Sequence, residues 1–159
     1  DKTIFYTALY HSLLHPNILN DVNGDYPKMT TRETIKTNGT RFTVFSLWDT
    51  YRNLHSLMSL VYPKQQSDMV KSMLSIYNES GWLPKWELNA TETTTMVGDP
   101  AGIIIADTYL RGIQDFDVEK AYEAMTKSAR QLENNALRPA IKEYTERGEK
   151  KKKRICLNL

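Results

Sequence analysis

Apolar residues recur every three or four positions in several stretches of the chain, which is the spacing of one helix face. This spacing predicts a first helix over residues 3–14, stopped by Pro16, and a second over residues 47–61, ended by Pro63. A third helix is expected from residue 64 or 66 to residue 79, with Gly81 as its C-terminal stop.

The C-terminal half of the chain predicts further helices. The nearly all-apolar stretch AGIIIADTYLRGI predicts a helix over residues 101–113 that is buried on most sides. Asp117 is placed to cap the helix that follows, and a last short helix is expected after Pro139. The plan is therefore mainly α, with helical hairpins arranged as an array or as part of an α/α toroid.

Two segments between these helices lack a helical pattern. Residues 20–45 are rich in Asn, Asp, Gly and Thr and predict turns with short strands, for which Asn38-Gly39 offers a hairpin turn. The segment WLPKWELNATETTTMVGDP, residues 82–100, predicts a long loop. Its two tryptophans indicate that this loop is ordered, and long ordered loops in compact domains are usually functional.

Composition restricts the classes of protein that fit. The 159 residues suffice for one domain, with 40% hydrophobic and 25% charged residues and a net charge of +2. Most of the basic excess lies in the tail EKKKKRICLNL, so the body is near neutral, which argues against a nucleic-acid or membrane surface. No apolar run has the length of a membrane span, and the start DKTIFYTALY lacks the features of a signal peptide. The only cysteine is Cys156, so an internal disulfide is excluded.

The candidate chemistry rests on carboxylates and aromatic rings. The histidines lack a metal-ligand spacing, and the chain has neither a phosphate-binding glycine loop nor a G-x-S-x-G elbow. Tryptophans and acidic residues gather at helix starts or in the long loop, at Trp48, Asp49, Trp82, Trp86, Glu87, Glu92 and Asp99. Aromatic faces and carboxylates together are typical of sugar sites. In the alternative interpretation, Asp49 caps a helix that begins at Thr50 and the tryptophans pack in the core.

Several longer motifs carry a resemblance to a known family. The stretches RFTVFSLWDTYRNLHSLMSLVYP and GWLPKWELNATETTTMVGDPAGIIIADTYLRGIQDFDVEKAYEAM are flanked by FYTALYHSLLHPNILNDVNGDYP upstream and ENNALRPAIKEYTERG downstream. In this order and spacing they resemble glycoside hydrolase family 92, the exo-acting α-mannosidases common in gut Bacteroidetes. The resemblance covers residues 5–148, and the basic tail 149–159 lies outside it and is expected to be disordered.

This resemblance implies a catalytic (α/α)6 barrel, preceded by a β-sandwich domain and acting with calcium. Members remove terminal α-linked mannose, often α-1,2, with inversion, using an acid and a base roughly 6.5–9.5 Å apart. The LWDT motif places Trp48 and Asp49 in the mannose-binding subsite. Glu87, Glu92 and Asp99 belong to a loop near the same mouth, without a defined role. The parent protein is expected to be periplasmic or secreted.

Parts of the family pattern do not occur in these residues. The general acid of the family lies in a Glu-Gly-Asn-Ala-Trp stretch and its base before Gly-Gln-Met, and neither stretch is present. We therefore expect a partial barrel over residues 1–148, with no catalytic residue, no bound calcium and no turnover on its own. Its expected partner is an α-mannoside glycan, and helix faces left uncovered would favour self-association. The alternative is a non-catalytic helical module that binds carbohydrate or protein.

Overall fold

The structure of the protein is a computed structural model that describes residues 1–130. Its helices in these residues are α1 (Lys2–Ser12), α2 (Leu47–Thr50), α3 (Leu54–Val61), α4 (Pro63–Ser80), α5 (Pro100–Leu110) and α6 (Val118–Arg130). Its strands are β1 (Asn17–Ile18), β2 (Asp25–Pro27), β3 (Thr34–Lys36), β4 (Phe42–Thr43), β5 (Phe45–Ser46) and β6 (Trp86–Glu87). The mainly helical fold predicted from the sequence is confirmed. The helix expected after Pro139 and the tail 149–159 lie outside the described residues.

The prediction of one helix over residues 47–61 is wrong, because this stretch is divided into α2 and α3. Asn53 stands at the N-cap position of α3, and its carbonyl accepts the Leu57 N–H at 2.9 Å. The Asn53 side chain makes no capping hydrogen bond, but asparagine is disfavoured inside helices, where its short polar side chain competes for backbone hydrogen bonds. The LWDT motif therefore forms a separate helical turn ahead of α3.

The predicted third helix is confirmed as α4, which begins at Pro63 and ends at Ser80, one residue beyond the predicted end. Pro63 is its first residue, where a missing N–H costs nothing, and Gly81 ends it with a φ of +81°. The Gly81 N–H donates to the Tyr77 carbonyl at 2.8 Å, as expected for a left-handed C-terminal cap. All of the residues predicted to face inward on this helix are buried: Met69, Val70, Met73, Leu74 and Tyr77.

Helix α4 lies at the centre of the hydrophobic core. It packs against α3, α5, α6 and β4, and its apolar residues join one contiguous cluster with Phe42, Phe45 and Leu47. Helix α5 contributes Ala101, Ile104 and Ile105 to this cluster. The core therefore reaches directly beneath the β5–α2 segment.

The described helices do not cover every apolar face. The expectation that α5 is buried on most sides is wrong: Ile103 is 49% and Leu110 is 82% exposed, because the neighbours of α5 lie on its other face. Helix α1 has no buried residue within the described structure. Phe5 and Tyr10 on α1 are both more than half exposed, so its apolar stripe lacks a partner.

The strands form three short antiparallel ladders: β1 with β4, β2 with β3, and β5 with β6. Short strands between residues 20 and 45 were expected, but the predicted hairpin at Asn38-Gly39 is wrong. Strand β3 pairs with β2 before it, and β4 pairs with β1. Neither Asn38 nor Gly39 has the positive φ that a two-residue hairpin turn requires.

Gly24 occupies a position that only glycine fits. Its φ is +87°, and a Cβ at this position would lie 2.4 Å from the backbone oxygen of Thr37. The Thr37 N–H also donates to the Gly24 carbonyl at 3.0 Å, so the two backbones are held close together. We expect Gly24→Ala to lower the free energy of unfolding by more than about 1 kcal/mol, measured by urea denaturation.

Gly39→Ala is the matched control for this prediction. Gly39 has no left-handed φ, and a Cβ there would meet nothing within 4 Å. Its stability is expected to stay within about 1 kcal/mol of the parent protein. Equal losses in the two variants would contradict the assigned role of Gly24.

Candidate functional site

The β5–β6 ladder brings together two of the segments that the sequence singled out. Ser46 lies opposite Trp86, and Phe45 lies opposite Glu87. An isolated bridge then joins Glu87 to Glu92 within the long loop. The turn that carries Trp48 and Asp49 follows β5 directly, so the loop over residues 86–92 flanks it.

Asp49 is exposed at the surface of the α2 turn. The interpretation of Asp49 as the cap of a helix that begins at Thr50 is wrong, because α2 begins at Leu47 and Ser46 stands at its N-cap position. The Ser46 hydroxyl donates to Asp49 Oδ2, which fixes the direction of the carboxylate. Asp49 thus presents an oriented hydrogen-bond acceptor to solvent.

Trp48 is half-buried and next to Asp49 in the chain, and a cationic side chain lies over its ring. The guanidinium carbon of Arg52 lies 4.9 Å from the centroid of the Trp48 ring and 5.2 Å from that of Tyr51. A cation–π contact at an exposed site contributes about 0.5–1 kcal/mol. Sequence reasoning missed Arg52, although its position four residues after Trp48 was a usable signal.

Glu87 is fully buried and does not face solvent. Its carboxylate accepts the Thr43 hydroxyl at 2.8 Å, the Ala90 N–H at 2.6 Å and the Val44 N–H at 3.1 Å. Burial raises the pKa of Glu87, while these hydrogen bonds and the charge of Arg41 act in the opposite direction. The carboxylate therefore braces the backbone beneath the site.

Glu92 also engages loop backbone. Its carboxylate accepts the N–H groups of Lys85 at 2.9 Å, Trp86 at 3.1 Å and Thr94 at 2.8 Å, which closes the loop on itself. Asp99 stands at the N-cap position of α5 and is half-buried. Its position ties the end of this loop to the start of a core helix.

Trp82 lies next to a different cation from the one beside Trp48. The Lys127 ammonium on α6 is 4.9 Å from the Trp82 ring centroid and donates to the Gly81 carbonyl at 2.8 Å. The structure thus places Trp82 between the end of α4 and α6, and groups Trp86 with Trp48 and Asp49 through the β5–β6 ladder.

A buried polar network connects the α2 turn to the core helices. His55 Nδ1 lies 3.0 Å from Gln66 Oε1, and His55 Nε2 lies 3.1 Å from Thr50 Oγ1. Gln66 in turn donates its amide N–H to Thr108 at 2.9 Å, so its oxygen faces His55 and Nδ1 carries the ring proton. The last residue of α2 is therefore linked through α3 and α4 to α5.

The described residues do not bring together three or more His, Cys, Asp or Glu side chains in a way that would hold a metal ion. They also contain no helix long and apolar enough to cross a membrane. The chemistry of the site in residues 1–130 is therefore that of an aromatic ring, an oriented carboxylate and hydrogen-bonding loop groups.

Comparison with known proteins decides the family. Residues 1–154 match the profile of the glycosyl hydrolase family 92 catalytic domain. The chain belongs to glycosyl hydrolase family 92. The resemblance found in the sequence is confirmed, and so is the α/α-type architecture expected from it.

Solved family 92 structures share the fold. An α-mannosidase from Bacteroides thetaiotaomicron, in complex with mannoimidazole, is similar with a TM-score of 0.79 and 38% identity. The match covers 88% of this chain and 18% of that chain. An inverting mannosidase from Bacteroides thetaiotaomicron VPI-5482 gives a TM-score of 0.76 and 30% identity, covering 91% of this chain and 20% of that one.

A curated relative supports the same family. An uncharacterized secreted glycosidase of Arthroderma benhamiae is 36% identical over 63 residues, which are 39% of this chain and 8% of that protein. This family 92 chain therefore spans about a fifth of the length of the mannosidase structures and less of the fungal glycosidase.

The buried His55 makes the stability of this family 92 chain depend on pH. Desolvation lowers the pKa of His55 to about 4, against about 6.5 in an unfolded chain. Between pH 7 and pH 5 the unfolded chain takes up a proton that the folded chain does not. We expect the free energy of unfolding to fall by on the order of 2 kcal/mol from this residue.

Urea denaturation of His55→Gln at both pH values measures this contribution. The variant is expected to be less stable than the parent at pH 7, and the gap should narrow at pH 5. His11→Gln, on the exposed face of α1, is the control and should follow the parent. A gap of the same size at both pH values would show that His55 is not the source.

Proposed function

We propose that this chain carries the mannoside-binding part of a family 92 α-mannosidase. The observation that carries the proposal is the exposed, oriented Asp49 carboxylate beside the Trp48 ring, in a chain whose structural neighbours are mannosidases. Asp49 would accept hydrogen bonds from sugar hydroxyl groups. The indole of Trp48 would form the apolar wall next to it.

In this proposal the remaining predicted residues have supporting positions. The carboxylates of Glu87 and Glu92 already accept hydrogen bonds from protein N–H and O–H groups, so the first sugar contacts are assigned to Trp48 and Asp49. Asp99 stands at the start of α5, which packs against the α2 turn. It remains a candidate for contact with a substrate that enters from that side.

For the full-length protein we propose an exo-acting, inverting α-mannosidase of α-1,2 type that acts outside the cytoplasm. An inverting mannosidase among the structural neighbours and a secreted glycosidase among the relatives support this assignment. Calcium would be bound by the rest of the full-length protein, because the described residues offer no group of ligands for it.

The proposal predicts sugar binding that depends on Asp49. Titration of the purified chain with mannose and α-mannobiose, by calorimetry or NMR, should show saturable binding. Asp49→Ala should weaken it at least about tenfold, since a hydrogen bond to a charged group contributes about 1.5–3 kcal/mol. The matched control is Glu119→Ala, which also removes an exposed acidic residue from a first helical turn. Unchanged affinity in Asp49→Ala, or no binding by the parent, would contradict the proposal.

The same samples test whether the chain turns over substrate. We propose that these residues release no mannose from α-mannobiose, with or without calcium, because the acid and base stretches of the family are absent from them. Calcium-dependent release would contradict this part. Binding without release is the result that the proposal expects.

We also propose that the isolated chain self-associates through α1. Phe5 and Tyr10 on this helix are 61% and 64% exposed, and a helix of this length needs a packing partner to be stable. Light scattering should show mass increasing with concentration, and Phe5→Ser with Tyr10→Ser should reduce it. Val22→Ser, at a fully exposed turn position, is the control. A monomer at every concentration would contradict this expectation.

A further inference from the structure

The buried carboxylate of Glu87 forms a pair with the hydroxyl of Thr43. The two side chains are joined at 2.8 and 3.0 Å, and both residues are at most 2% exposed. Glu87 lies on β6 and Thr43 on β4, so the pair links two strands that belong to different ladders. The pair lies next to the segment that leads into the α2 turn.

Three N–H groups donate to this pair. The Val44 N–H donates to Glu87 Oε2 at 3.1 Å, and the Ala90 N–H donates to Glu87 Oε1 at 2.6 Å. The Asn89 N–H donates to Thr43 Oγ1 at 2.9 Å. The Glu87–Thr43 pair therefore holds the backbone at residue 44 and at residue 89, which are 45 positions apart in the sequence.

Each of these three donors belongs to a residue with a left-handed backbone. The φ angles are +64° for Val44, +47° for Asn89 and +59° for Ala90. Such angles are uncommon for residues other than glycine, and for a β-branched residue such as Val44 they are a marked departure from the preferred regions. They persist only where the surrounding structure determines them strongly. The Glu87–Thr43 pair accepts the backbone N–H at all three positions.

The strained Val44 controls where the α2 turn lies. It is the single residue between β4 and β5, and β5 continues without a break into Leu47–Thr50. The direction in which the chain leaves Val44 therefore sets the position of Trp48 and Asp49. A relaxed, extended Val44 would send β5 along a different path from β4.

We propose that Glu87, together with Thr43, is a positioning residue that fixes the Trp48–Asp49 turn by holding Val44, Asn89 and Ala90 in left-handed conformations. The sugar-binding consequence rests on the proposed function, whereas the effect on the turn does not. Glu87→Gln tests both, because an amide offers one acceptor oxygen in place of two and brings an NH2 group against the N–H of Val44 or Ala90.

Glu79→Gln is the matched control. Glu79 is also a buried carboxylate, and it accepts the Met29 N–H at 2.8 Å and the hydroxyls of Tyr26 and Ser75 at 2.9 and 2.8 Å. Both variants remove a buried carboxylate with several donors, so both are expected to lower stability. Only Glu87 contacts the segment that leads into the α2 turn.

The readouts are the indole N–H resonance of Trp48 in a two-dimensional NMR spectrum and the affinity for α-mannobiose. The chain has three tryptophans, so Trp48→Phe assigns the signal. We expect Glu87→Gln to move the Trp48 resonance and to weaken α-mannobiose binding at least tenfold, while Glu79→Gln leaves both as in the parent. An unmoved Trp48 signal in Glu87→Gln, or an equal shift in Glu79→Gln, would overturn the proposal.

A second pair of variants keeps the test decisive if Glu87→Gln does not fold. Thr43→Val removes the hydroxyl at nearly constant volume, and Thr43→Ser restores it. The proposal requires that Thr43→Val shifts the Trp48 resonance and that Thr43→Ser returns it toward the parent position. Identical spectra for the two variants would contradict it.

The outcomes separate this inference from the proposed function. If the parent does not bind α-mannobiose but Glu87→Gln moves the Trp48 signal, the binding proposal fails and the positioning role stands. If the parent binds and Asp49→Ala abolishes binding while Glu87→Gln changes neither readout, the binding proposal stands and the positioning role fails.

Discussion

Helix α4 is the constraint on which the rest of the described structure depends, because it serves the core and the strands at once. Its apolar residues fill the centre of the core, while its buried polar side chains satisfy backbone groups of the segments around it. Ser72 Oγ accepts the Phe42 N–H at 2.9 Å, and Glu79 accepts the Met29 N–H at 2.8 Å. A buried N–H without a partner costs about 1–3 kcal/mol, so these bonds fix the path of residues 29–42 against the helix.

One buried cation serves both the fold and the candidate site. Arg41 lies 3.9 Å from Glu79 and donates to the carbonyls of Phe42 and Ser72 at 2.9 and 3.2 Å. Its charge also favours the ionised form of Glu87, against the effect of burial. Removing one partner of a buried charge pair costs about 3–5 kcal/mol, so the contact between Arg41 and Glu79 ties the chain at residue 41 to helix α4.

The positions of most helices and the family could be predicted from the sequence. Helices show a local spacing of apolar residues, and the LWDT motif is distinctive. Strand pairing could not be predicted. Asn38-Gly39 has the composition of a hairpin turn, but β3 pairs with β2 and β4 pairs with β1, both of which precede them in the chain. The pattern also placed Trp48 and Asp49 near the loop with Glu87 and Glu92. The pattern could not show that Glu87 faces inward, because an acidic residue beside a tryptophan is equally compatible with a surface position and with a buried one. Only its hydrogen bonds with Thr43 and Val44 show that its carboxylate faces the interior.

The candidate site and the uncovered faces of the chain depend on different neighbours. The α2 turn is held by α5, by the β5–β6 ladder and by the Thr50–His55–Gln66 network, all within the described residues. The exposed faces of α1 and α5 lack partners there, in a chain that spans about a fifth of related mannosidases. The geometry of the α2 turn and the completion of a barrel are therefore separable requirements. Because the turn's supports are local, the sugar binding proposed for this chain is a different physical question from hydrolysis by a complete barrel.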